Sequence, residues 1–127
     1  KFNHLMNTVQ LKYRNGKLMY IIFGKEIAEE LRKRHIVLEL ETFADPSGKP
    51  YTAYCVIQQE SIPITEMHDL ERLCRLHDGL ITALNEKRYP MVLECIEHLR
   101  GSFSGEMDSF YNVISDRLSK LENHEST

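Results

Sequence analysis

No tryptophan occurs in this sequence, and glycine, proline and cysteine are scarce: six, four and three among 127 residues. So little glycine and proline excludes a collagen-like or low-complexity chain. Three cysteines, Cys55, Cys74 and Cys95, are an odd number, and each sits inside an apolar pattern. A disulfide framework favours an even count in loops. These three read instead as reduced core thiols, which places the protein in the cytoplasm. No apolar run nears the roughly 18–20 residues of a membrane-spanning helix. The longest, Leu18–Phe23, has the length of a strand. No basic-then-apolar leader opens the sequence, so no membrane or secretory role is expected. Also missing are a nucleophile elbow, HExxH and a dinucleotide fingerprint. No enzyme activity and no cofactor are therefore expected.

What is present is enough apolar residue for a core, 42%, and a charge asymmetry. Residues 1–63 hold nine Lys/Arg against seven Asp/Glu, and residues 64–127 hold seven against twelve. An acidic second half is a poor electrostatic match for nucleic acid.

Along the chain, Asn15-Gly16 marks a type I′ turn between two alternating runs. The hairpin places Val9, Leu11, Tyr13, Leu18, Tyr20 and Ile22 on one face, with Met19, Ile21 and Phe23 on the other. Its first strand reads as an edge, its second as central and covered on both sides. Residues 25–34 read as a short helix with Ile27, Ala28 and Leu31 on its stripe and Arg32, Lys33 and Arg34 at its C-terminal end. Residues 35–43 and 51–59 form a second hairpin across the turn residues 44–50. In it Ile36, Leu38 and Leu40 point inward and Glu39 and Glu41 share the wet face.

Thr65 is the expected N-cap of a helix of about six turns, with Met67, Leu70, Leu73, Cys74, His77, Leu80, Ile81 and Leu84 at spacings of three and four. Tyr89-Pro90 opens the next helix, which carries Val92, Cys95, Ile96 and Leu99 and ends at Gly101. A last helix uses Met107, Phe110, Tyr111, Ile114, Leu118 and Leu121. The expected fold is α+β: a β-hairpin, a helix and a second β-hairpin (ββαββ) in an antiparallel sheet, followed by two or three packed helices. Residues 1–127 form one domain, with a sheet half (1–60), a helical half (63–122) and a frayed tail (123–127).

Four groups could carry chemistry. Cys74 and His77 are three apart on one helix, and Cys95 and His98 are three apart on the next, the residue types of a Cys₂His₂ zinc site. In an antiparallel helical hairpin the two cysteines fall about 13 Å apart along the axis, too far for one ion, so packed thiols and histidines are the favoured reading. Lys12, Arg14 and Lys17 form a basic hairpin tip. That tip could read phosphate, or it could guard a sheet edge against aggregation. Arg32-Lys33-Arg34-His35 is a basic patch that the helix dipole explains. Pro46-Ser47-Gly48-Lys49 lacks phosphate-loop spacing and reads as a turn.

Exclusion leaves a non-enzymatic protein-binding module, a regulator, inhibitor or adaptor, working through the apolar and Met-bearing faces of its helical half. The partner is another protein or a second copy of the chain. A nucleic-acid-associated regulator using the hairpin tip is the alternative, and a zinc-binding protein the next.

Overall fold

In the computed structural model, which describes residues 19–125 and side chains as far as Leu121, the chain is α+β. Strands β1 (Ile21–Phe23), β2 (Ile36–Ala44) and β3 (Pro50–Ile57) form an antiparallel sheet in the order β1-β3-β2. Helix α1 (Lys25–Leu31) joins β1 to β2. After β3 come α2 (Ile64–Met67), α3 (Leu70–Asn85), α4 (Tyr89–Leu99) and α5 (Asp108–Glu125). The expected ββαββ order is not matched: the described order is strand, helix, strand, strand. The outer strand of the first hairpin, its Asn15-Gly16 turn and Lys12, Arg14 and Lys17 lie outside the described residues.

Among the described residues β3 lies between β1 and β2. The reason is composition. Every residue from Ala53 to Ile57 is buried, with Ala53, Cys55 and Ile57 on one face and Tyr54 and Val56 on the other. Only a strand covered on both sides tolerates such a run. The smaller face packs Ile22, Val37, Tyr54 and Val56 against Ala28 and Leu31 of α1. The larger face carries Ile21, Phe23, Ile36, Leu38 and Leu40 against the helices.

The second hairpin forms as expected. Its turn is tied by Asp45 Oδ1, which accepts hydrogen bonds from the Ser47 and Lys49 backbone N–H groups and the Ser47 hydroxyl. Those bonds hold the Asp45 carboxyl below its ordinary pKa. The pairing contains a bulge: Glu39 opposes Tyr54 and Thr42 opposes Thr52, so Leu40 and Glu41 together face Ala53. Beyond it the alternation changes phase, and Phe43 packs with Tyr51 toward the helical side. Glu39 and Glu41 therefore do not share a wet face. Glu41 accepts both Arg117 Nη1 and Nη2 from α5, at 2.7 and 3.2 Å.

The helical stripes close onto the sheet. Leu73, Leu80, Ile81, Val92, Ile96, Leu99, Phe110, Tyr111, Ile114 and Leu118 join the same core as β1, β2 and β3. Three boundaries and three stripe positions differ from the expected ones. The long helix breaks after Met67, so α2 and α3 are separate. Thr65 does not cap it: Pro63 and Asp69 precede the two helices, and the Asp69 carboxylate pairs with Arg72 instead. Ile27, Met67 and Leu121, expected on apolar stripes, are solvent-exposed. The last helix continues to Glu125, through residues expected to fray.

Candidate functional site

At the end of the sheet where β3 leaves, five short stretches meet around a cleft of about 310 Å³. Its described lining is Tyr20, Leu31, His35, Val56, Gln58, Ser61 and Glu106. Each is placed by backbone bonding. Tyr20 runs extended beside β3, its carbonyl accepting from the Val56 N–H at 2.9 Å. At the end of α1 the His35 N–H donates to the Leu31 carbonyl at 2.8 Å, which folds the imidazole under the helix. Gln58 and Ser61 frame the single 3₁₀ turn after β3, where the Ser61 N–H donates to the Gln58 carbonyl.

Glu106 arrives from the helical side by a costlier route. Phe103, Ser104 and Gly105 all have positive φ, 55°, 58° and 75°. For the two non-glycine residues that region is costly and persists only where packing over-determines it. Here the wholly buried Phe103 and Met107 anchor the turn on either side. The Phe103 N–H donates to Glu66 Oε1 at 2.6 Å, and the Gly101 N–H donates to Asp108 Oδ1 at 2.9 Å. The turn delivers Glu106 to the cleft, half-buried and without an ion pair among the described residues. Its charge also adds to the burial that pushes the Cys55 thiol up to about 12.

The cleft has one unusual polar feature. His35 Nδ1 is sealed from solvent and has no hydrogen-bond partner among the described residues. Ser61, His35 and Glu106 are the residue types of a hydrolytic triad, yet no hydrogen bond joins His35 to either of the others. A nucleophile–base pair needs that bond.

The four Cys-x-x-His residues are not brought together. His77 is wholly buried between sheet and helices. Its Nε2 lies 2.6 Å from the Glu39 carbonyl and its Nδ1 2.9 Å from the Tyr111 hydroxyl. A carbonyl only accepts, so Nε2 carries the proton, and Tyr111 donates to Nδ1. Burial holds His77 below its ordinary pKa and Tyr111 above its own, which keeps both neutral. Both imidazole nitrogens are spent. Cys95 is buried in the core, Cys74 is half-buried, and burial raises both thiols. His98 is exposed in a shallow basin beside Arg72 and Arg100. Among the described residues no group of three or more His, Cys, Asp or Glu is placed to hold a metal ion.

The basic run at the end of α1 is absorbed locally: Arg32 lies over the Tyr54 ring at 5.9 Å and Lys33 pairs with Glu30. Sequence reasoning singled out His35 only as part of that run. It missed Glu106, Gln58 and Ser61 altogether. No spacing links them to His35, since they meet only through the crossing of β3 and the turn before α5.

Compared with protein-family models, curated proteins and solved structures, the chain matches none of them.

Proposed function

We propose that the protein is a non-enzymatic binding module for another protein, and that the cleft beside α1 is where the partner docks. The observation carrying this is the apolar track leading into the cleft. Tyr20 is 65% exposed and lines it; Ile27, 51% exposed, precedes the lining residue Leu31 by four, one turn along the same helix face. The stripes of α3, α4 and α5 are for the most part spent on the core, so they offer a partner less than this face does. A rigid sheet end carrying a concavity with an apolar rim is an ordinary peptide-docking surface. Among the described residues no helix is long and apolar enough to cross a membrane. The three cysteines are free thiols, which fits a reducing, cytoplasmic setting.

The test is a photo-crosslinker, p-benzoylphenylalanine, placed at position 20 in the producing cell and, separately, at the exposed position 71 on α3. One discrete protein adduct from position 20, absent from position 71 and lost with Ile27→Glu in a folded background, is the expected result. Adducts equal at both positions would remove the cleft as the docking surface.

A further inference from the structure

We infer that the cleft accepts a basic side chain, an arginine or lysine, from an extended segment of the partner protein, an inference that rests on the binding reading above. The walls and the end of the cleft differ in chemistry. Leu31, Val56 and the Tyr20 ring supply an apolar wall for a long methylene stem. Glu106 is the one carboxylate or ammonium-type charge in the described lining, and it has no ion pair among the described residues. An anionic group entering here would meet uncompensated repulsion, and a cation would meet its counter-charge in a partly dehydrated place.

The second observation is His35, a lining residue whose buried Nδ1 has no hydrogen-bond partner among the described residues. Buried polar atoms without partners are uncommon in native proteins. In the Nε2-protonated tautomer this nitrogen is an acceptor, and the partner that would suit it is an N–H or O–H donor. A guanidinium carries five N–H donors in one plane and pairs with a carboxylate through two of them, which favours arginine over lysine at Glu106. Gln58 and Ser61 at the mouth add polar groups for the backbone of the same segment. Among the described residues no nearby cation fills the place. Arg32 is engaged over Tyr54 and Lys33 with Glu30, and Arg34 is not part of the lining.

The experiment is selection of a random linear-peptide library, displayed on phage, against the immobilised protein and against Glu106→Gln. That variant keeps the side-chain shape and the bond from the residue 106 N–H to the Phe103 carbonyl, 3.0 Å long. Unchanged circular dichroism and melting temperature establish that it is folded. The expected result is a consensus with an invariant arginine or lysine, whose synthetic peptide loses about tenfold in affinity on Glu106→Gln. A consensus without a basic residue, or a basic one that Glu106→Gln binds equally well, overturns the inference and leaves the docking cleft standing. No consensus above the Ile27→Glu background overturns both. Sedimentation of the protein alone completes the test: a dimer that Glu106→Gln dissociates would put a second copy's own cation in the cleft and overturn the foreign partner.

Discussion

A histidine shut away from water has two nitrogens to satisfy and one proton to share between them. His77 resolves this with the Glu39 carbonyl on one side and the Tyr111 hydroxyl on the other, so a single tautomer fits. The neutral ring is what this site stabilises, and burial depresses its pKa below the unfolded value of about 6.5. The sign follows. Above that pH neither state holds the extra proton and stability does not depend on it. As pH falls through about 6.5, the unfolded chain gains a proton that the folded chain refuses, and stability declines, by at most about 1.4 kcal/mol per pH unit. Urea midpoints at pH 7.5 and 5.5 are expected to differ more for the native sequence than for His77→Gln, which keeps a donor and an acceptor but does not titrate. Equal differences would mean that the site tolerates a charged imidazole. The sequence offered no sign of this network. His77 lay on the apolar stripe, but its partners stand 38 and 34 residues away, and no local pattern links them.

Elements end where their chemistry runs out, and α3 ends in a Schellman turn. The Arg88 N–H reaches back to the Ala83 carbonyl at 2.8 Å and the Lys87 N–H to the Leu84 carbonyl at 3.2 Å. This puts Lys87 at φ 61°, where glycine is the ordinary residue and a side chain crowds the backbone. Lys87→Gly is therefore expected to stabilise the protein by up to about 1 kcal/mol, less what glycine gains in unfolded-state entropy. The check is a rise in the denaturation midpoint at unchanged slope. The bases at positions 87 and 88 do mark this helix end in sequence, as Tyr89-Pro90 and Gly101 mark the limits of α4. Periodicity carried the second hairpin and the stripes of α4 and α5 as well. It failed at two kinds of place. The bulge at Leu40–Glu41 inserts a residue that alternation counts as ordinary, so everything after it is assigned to the wrong face. The break between α2 and α3 leaves the three-and-four spacing intact, because His68 keeps helical dihedrals and only Asp69, at φ −108° and ψ 1°, departs from them. A one-residue departure has no apolar signature.

At the scale of the whole molecule the sheet half and the helical half share a core and are expected to unfold as one cooperative unit. Apolar groups of both halves join in the larger cluster, which runs from Ile21, Leu38 and Cys55 through Leu80 and Ile96 to Tyr111 and Ile114. Cut apart, each half would expose the face it now spends on the other, at roughly 25 cal/mol per Å² of apolar surface returned to water. A fragment of residues 63–127 is thus expected to lack a dispersed amide NMR spectrum, although its three longer helices are all local in sequence. Within the intact protein, Cys55 reports on the same cooperativity. It lies on the central strand with 1% of its surface exposed, and burial together with Glu106 pushes its thiol up to about 12. Neither access nor ionisation allows it to react while the sheet and helices are in contact. Pulsed alkylation in increasing urea, read by peptide mass, should therefore find Cys55 modified along the same curve as the loss of far-ultraviolet circular dichroism. The half-buried Cys74 should react well before that transition. Modification of Cys55 ahead of the helical signal would mean that the layers separate before they unfold. The cleft, built from β3 on one side and the turn before α5 on the other, would then open with them.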